Sequence, residues 1–322
     1  MRRSGGSGHE AISVVVPTYR GRERLRETVP PLLADPALHE LIVVVDGSED
    51  GSVELLREWA AKDGRLRPLF VPNGGDNRAR QTGLEHATGD VVLFMDDDVV
   101  AGPGLLEGHL RRHAGTTGRV VVGYMPVAPE PAALTARLYS RWYEGQCRTY
   151  EEQPDRILEN LWNGNVSIRR EDALRVGIPS DSYDTRYGPD RELGLRLAAA
   201  GLTGVFDRSL RAEHRYVRPP EAFLADARSA GEGIWICHRL YPSALGPRRA
   251  ERFAAGMSAR TRWAVRLARR RRARAPLDRA LGLAAAAAGR AGCHHAEEQL
   301  ATVRVRIAQQ SAALAREATL RR

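Results

Sequence analysis

Lysine is almost missing from this chain. Of its 49 cationic residues only Lys62 is a lysine and the rest are arginine, so part of the +9 formal charge reflects residue usage and does not by itself argue for nucleic-acid binding. Cysteine is scarce as well: Cys147, Cys237 and Cys293 are far apart and follow no metal-ligand spacing. That excludes a disulfide framework and predicts unpaired thiols in a reducing compartment. Cys293-His294-His295 sits in an alanine-rich helical stretch and is read as incidental. Aromatics make up 6%, and between Arg248 and Arg322 only Phe253 and Trp263 occur, too few to interleave the cations with a base-stacking surface. No apolar run approaches the roughly 20 residues of a membrane span. The longest candidate, Ala280 to Gly289, is short and mostly alanine, and no apolar signal core separates Arg2-Arg3 from the first strand-like run. Cytoplasmic residence is the expectation, at most peripheral to the inner face of a membrane.

What is present is a globular composition, 43% hydrophobic over 322 residues, enough for one large domain and an appendage. The charge is unevenly spread. From Arg248 onward there are 18 arginines against 5 acids, a balance of +13, which leaves the first 247 residues at −4. Strand-like runs at Ile12–Val16, Leu41–Val45, Leu69–Val71 and Val91–Met95 alternate with helical patterns at Arg22–Leu33, Ser52–Ala61 and Arg78–Ala87. This predicts an α/β fold with a mostly parallel sheet flanked by helices. Farther on, Val120–Met125 and Asn165–Ile168 read as strands, Ala132–Cys147 and Glu192–Ala200 as helices, and the chain after Pro220 as a helical, arginine-rich extension.

The most informative stretch is Phe94-Met95-Asp96-Asp97-Asp98, three carboxylates closing an apolar run. Open parallel sheets bind ligands beyond the carboxyl ends of their strands. Strand alternation would point Asp96 and Asp98 to one side, where they offer hard oxygen ligands to Mg²⁺ or Mn²⁺ together with a diphosphate. Asp46 follows another strand at the same edge, where a carboxylate can accept from the N–H of a nucleobase; Ser48, Asp50 and Ser52 already supply caps for the next helix. Arg78 and Arg80 open a helix after the Gly74-Gly75 turn, and guanidinium forks match phosphate oxygens.

Five motifs fall in one order: Val16-Pro17-Thr18-Tyr19-Arg20, Val45-Asp46-Gly47-Ser48-Glu49-Asp50, Asn73-Gly74-Gly75 through Arg78-Ala79-Arg80-Gln81, Asp96-Asp97-Asp98, and Tyr187-Gly188-Pro189-Asp190-Arg191-Glu192. The succession resembles the family 2 glycosyltransferases of GT-A fold over roughly Ile12 to Tyr216. The resemblance implies a Rossmann-like GT-A domain over residues 12–217, with a nucleotide-binding half (12–100) and an acceptor and base half (101–217). A disordered tail (1–11) precedes it and the helical extension (218–322) follows. It also implies donor contacts from Pro17, Thr18, Tyr19, Asp46, Arg80, Asp96, Asp97 and Asn165. Asp98 and His214 would hold Mn²⁺ or Mg²⁺, and Asp190 would be the general base. Asn163 stands where the family usually has glycine, and Pro189 where it has glutamate.

The implied reaction is transfer of a sugar, with inversion, from a nucleoside diphosphate donor to a hydroxyl or amine. UDP, GDP and dTDP donors remain open, with UDP preferred, and the acceptor is unknown. A sugar nucleotidyltransferase and a nucleic-acid binder using the basic tail are the alternatives; the first lacks its glycine-rich, lysine-bearing loop here and the second its aromatics. Peripheral membrane contact through the tail and a homo-oligomer are further expectations.

Overall fold

The computed structural model describes residues 10–127, 133–179, 185, 187–246 and 257–320. Nearly all of the expected N-terminal tail lies outside them, although Ala11 is already held, its N–H donating to Asp90 Oδ2 at 2.9 Å. In chain order the elements are β1 (Ile12–Thr18), α1 (Arg22–Ala34), β2 (Leu38–Asp46), α2 (Ser52–Ala60), β3 (Leu66–Val71), α3 (Asp76–His86), β4 (Val91–Met95), β5 (Val99–Ala101), α4 (Leu105–His113), β6 (Arg119–Tyr124), α5 (Leu134–Glu152), β7 (Asn165–Arg169), α6 (Arg170–Val176), α7 (Pro189–Ala199), β8 (Thr203–His214), α8 (Pro220–Leu240), α9 (Pro242–Leu245), α10 (Ala259–Leu267), α11 (Arg271–Arg290) and α12 (His294–Leu320). They divide into two compact units. One comprises Met1–Pro129, Glu144–Ser180 and Leu193–Tyr216, the other Glu130–Tyr143, Asp181–Glu192 and Val217–Arg322.

The first unit holds an eight-stranded sheet in the order β3-β2-β1-β4-β7-β6-β8-β5. β3, β2, β1 and β4 run parallel, whereas β7 is antiparallel to both β4 and β6. The alternation of strand and helix therefore predicts the parallel half correctly and the other half only in part. β1 and β4 are buried along their whole length, as unbroken apolar runs covered on both faces should be. α3 lies directly on the sheet because Gly83 has no side chain: a Cβ there would stand 2.3 Å from Val15 Cγ1. The core beneath it joins Val15, Ile42, Val44, Val92 and Phe94 to Leu84, Leu193 and Leu197.

One buried charge holds the amino-terminal end of these strands. Glu40, on β2 and 4% exposed, accepts from Ser13 Oγ at 2.6 Å, from Thr88 N at 2.6 Å and Oγ1 at 2.8 Å, and from Arg67. Burial alone would raise its carboxyl, but these donors more than reverse that and hold it at about 2.

The second unit is helical. Val265 and Ala268 pack with Ile307 of α12, flanked by Leu277 and Leu281 of α11 and by Val303. Gly231 lets α8 approach α12 closely, since a Cβ there would stand 2.2 Å from Gln309 O. Arg137 of α5 pairs with Glu297 and, at 2.9 Å, with Glu298 of α12. Among the described residues no helix is long and apolar enough to cross a membrane.

Candidate active site

Strand register fixes where the candidate residues emerge. Val15 pairs with Phe94 and Thr18 with Val45, so Thr18, Asp46 and the Asp96–Asp98 run leave the sheet at one edge, the carboxyl ends of β1, β2 and β4. β4 ends at Met95, however, and the three acids lie in a turn closed by Val99 N donating to Asp96 O at 3.1 Å. Pleat alternation does not extend into that turn, so the expected sorting of the carboxylates by strand geometry does not hold. Each is instead oriented by its own partner.

Asp96 accepts from Arg80 Nη2, and the same guanidinium reaches Asp76 one turn earlier on α3. Arg80 is 3% exposed, so a cation is held at the sheet edge in low-dielectric surroundings. Asp97 faces away from this pair. It accepts from Thr18 Oγ1 at 2.6 Å and from Arg24 Nε and Nη2, both at 2.8 Å, a two-pronged bond that raises the Arg24 pKa. Gly21 makes room for this clamp: a Cβ there would lie 2.0 Å from Thr18 Oγ1 and 2.4 Å from Asp97 Oδ2. Asp97 thus braces the β1 loop against the acidic turn.

Asp98 lies beside the end of β8. Arg215 N donates to its carbonyl at 2.8 Å, and His214 Nε2 approaches its Oδ1 to 3.4 Å. The antiparallel pairing of Val99 with His214 brings the two together across 116 residues of sequence. His214 is 8% exposed and stands edge-on to Tyr216 at 5.4 Å. Among the described residues no group of three or more acidic, histidine or cysteine side chains converges on one point. A carboxylate oxygen and an imidazole nitrogen do converge, and that donor set fits Mn²⁺ or Mg²⁺ when a diphosphate supplies further oxygens.

Asp46 is 4% exposed, and its Oδ1 and Oδ2 accept from Gly74 N at 2.7 Å and Gly75 N at 2.8 Å. Asn73 Nδ2 adds a bond to the Asp46 carbonyl at 3.1 Å. The carboxylate therefore holds the glycine turn that leads into α3 and so sets where Arg80 begins. The cap position of α2 is Gly51, which has no side chain, and Asp50 before it accepts from Ser52 N at 3.3 Å and Oγ at 2.7 Å and from Arg22 N, the first N–H of α1, at 2.9 Å. Pro17 and Thr18 are buried at the end of β1, whereas Tyr19 is 45% exposed with the Arg20 guanidinium 5.3 Å from its ring centre.

Asn165 is fully buried away from solvent. Its Nδ2 donates to Leu210 O at 3.0 Å and its Oδ1 lies 2.9 Å from His109 Nε2. His109 Nδ1 and His113 Nε2 each lie 2.8 Å from Ser167 Oγ, and burial lowers both imidazoles to about 4, so they are neutral. The only trace of this network in the sequence is a histidine pair, His109 and His113, four apart on one helix face.

In the second unit α7 begins at Pro189, so Asp190 lies within its first turn and is not its cap. An acid there is favoured by the helix dipole. Glu192 is 1% exposed and accepts from Tyr241 Oη at 2.9 Å. Gly233 of α8 admits the Tyr187–Gly188 segment, its Cβ position being 1.7 Å from Tyr187 O. Asp184, another acid of this stretch, lies outside the described residues.

Open α/β sheets bind ligands beyond the carboxyl ends of their strands, and Arg80, the Asp96–Asp98 turn and the Asp98–His214 pair all lie there. The model of glycosyl transferase family 2 matches residues 13–176, just over half of the chain, and the chain belongs to that family. It is 29% identical over 261 residues to the uncharacterized glycosyltransferase YfnE of Bacillus subtilis, covering 63% of this chain and 64% of that protein. It is 32% identical over 188 residues to a glucosyl-dolichyl phosphate glucuronosyltransferase of Haloferax volcanii, covering 55% and 57%. With a validoxylamine A glucosyltransferase of Streptomyces hygroscopicus it shares 28% identity over 228 residues, covering 62% and 50%. The chain thus spans between half and two thirds of the length of these curated relatives. The fold is that of the GT-A glycosyltransferases. The mannosyltransferase PcManGT of Pyrobaculum calidifontis, solved with GDP-Man and Mn²⁺, superposes with a TM-score of 0.61 at 18% identity, over 94% of this chain and 87% of that one. S. aureus TarS 1-349 with UDP gives 0.50 at 16%, over 91% and 90%.

Proposed function

We propose that this protein transfers a sugar from a nucleoside diphosphate donor to a hydroxyl or amine acceptor with inversion at the anomeric carbon. The observation that carries the reading is the joint placement of Arg80 against Asp96 and of His214 against Asp98 at one strand edge. Asp96 faces the ribose and Arg80 the diphosphate, whose charge grows as the bond to the sugar breaks. A divalent ion held by Asp98 and His214 would supply the remaining neutralisation. Asp46 and Thr18 shape the base pocket, Asp46 through the glycine turn it holds. Asp190 accepts the acceptor's proton. The solved proteins of this fold carry GDP-Man or UDP, so both bases stay within the proposal. The catalytic domain is assigned to residues 12–217 and the helical extension to 218–322; one boundary between the compact units falls after Tyr216, while Glu130–Tyr143 and Asp181–Glu192 group with the helical unit.

The test is a panel of sugar nucleotides scored for the released product. Nucleoside diphosphate release with transfer of the sugar supports the proposal. Pyrophosphate-dependent exchange would assign the site to a nucleotidyltransferase, and inertness toward every donor would remove the enzymatic reading.

A further inference from the structure

The helical unit carries a surface that its fold does not use. Between Ala259 and Arg290, spanning α10 and α11, the sequence has ten arginines and one acid, Asp278. That acid is already engaged: Arg304 of α12 donates to both of its oxygens, at 2.9 and 3.1 Å. Isolated surface helices usually intersperse acids with their cations, and this pair of helices does not.

α10 is two-faced. Ala264, Val265 and, just past its end, Ala268 are buried, and Val265 and Ala268 pack with Ile307, which satisfies the inner face. At 100° per residue Arg262, Trp263 and Arg266 fall on the opposite face, and all three are exposed. Trp263 is 65% exposed on the same face as Arg262 and Arg266, and Leu283 on α11 is 67% exposed. Among the described residues no carboxylate pairs with Arg262, Arg266, Arg270 or Arg279; Arg262 reaches only the carbonyl of Met257. A large aromatic side chain exposed within an uncompensated cationic face marks a contact surface.

We infer that the outer face of α10, with the basic start of α11, docks on the surface of an anionic lipid bilayer. The charge is complementary to acidic headgroups, and tryptophan among arginines is the composition of an interfacial helix, with the indole at headgroup depth and the cations above it. A nucleic-acid partner would also answer the charge, but single-stranded sites stack successive bases on several aromatics, and this face offers one. No described helix can span a bilayer, so the contact is peripheral. The inference does not rest on the catalytic reading, because attachment is measured without donor or acceptor.

The test is cosedimentation of the full chain with vesicles of phosphatidylcholine alone and with vesicles in which a third of the lipid is phosphatidylglycerol. Binding to the anionic vesicles only, weakening as salt is raised, is expected. Each arginine near such a surface contributes roughly fivefold in affinity, so Arg262→Gln with Arg266→Gln lowers binding by an order of magnitude or more. Trp263→Ala lowers it severalfold and leaves the salt dependence in place, because the indole's contribution is apolar. All three residues are exposed, so circular dichroism of the variants should match the parent. Absence of binding to either vesicle, binding unchanged in both variants, or tighter binding to a single-stranded oligonucleotide than to anionic vesicles at the same salt would overturn the inference.

Discussion

Glu40→Gln tests how the sheet is held at the end away from the candidate site. In the folded protein the Glu40 carboxyl sits at about 2, against an ordinary value of 4.5, and its side chain is 5% exposed, so solvent screening is slight. Because the folded pKa is the lower, its contribution to stability is fully present above the unfolded value and is lost as pH falls from about 4.5 toward 2. At 1.36 kcal/mol per unit the shift corresponds to about 3 kcal/mol at neutral pH. Glutamine keeps the shape but sets an amide N–H₂ either against Ser13 Oγ and Thr88 N, which bond Oε1, or against Arg67, which bonds Oε2, and removes the charge in both cases, so most of that should be lost. Urea unfolding of both proteins at a series of pH values measures it. The parent should exceed the variant by about 2–3 kcal/mol at pH 7, with the gap closing below pH 4.5. A gap that is constant with pH, or that widens on acidification, would refute the reasoning.

Four other perturbations follow from the geometry. His109 and His113 are neutral with folded values near 4, so the parent should lose stability as pH falls from about 6.5 toward 4, a higher window than that of Glu40; His109→Gln should flatten that limb in the same unfolding series. Gly21→Ala places a methyl on the Thr18–Asp97 contact and should cost about 1–3 kcal/mol in thermal unfolding, with weaker donor binding by calorimetry. Asp190→Asn should reduce turnover by about 10²–10⁴ with donor affinity unchanged, whereas loss of a first-turn charge alone would cost only about 0.3–1 kcal/mol of stability and leave turnover intact. Asp98→Ala should abolish metal-dependent transfer, read from product release as described below.

Much of this architecture is legible from residue patterns alone. β1, β2 and β4 appear as apolar runs because both faces of each are covered, β3 at the sheet's margin is only partly buried, and the glycines between the elements mark the turns. β8 is harder to see. Its sequence Thr203–His214 is half-exposed over most of its length and shows alternation only at Leu210, Ala212 and His214. β5 has three residues, too few to carry a period. Those two strands nevertheless create the site, since their pairing sets His214 beside Asp98. The acids at the edge were visible as residue types, but not their division of labour. Asp97 reads as a donor contact in sequence, and its bracing of the β1 loop is hidden there because its partner Arg24, in the first turn of α1, is 73 residues away. Asp46 likewise reads as a free carboxylate until the fold brings Gly74 and Gly75 onto it. Glu40 shows the limit most plainly: nothing local distinguishes it from a surface glutamate, and its bonding depends on three residues, Ser13, Arg67 and Thr88, supplied by three other segments.

The central claim is a donor site at the β4 edge in which Asp98 and His214 serve a divalent ion. Nucleoside diphosphate release should be measured with the sugar nucleotide that the panel identifies, in parent and Asp98→Ala, in excess chelator and after readdition of Mn²⁺ or Mg²⁺. The account predicts that the parent is silent in chelator and recovers with the ion, while folded Asp98→Ala stays silent in both. Full activity of the parent in chelator, or of Asp98→Ala under any of these conditions, would contradict it.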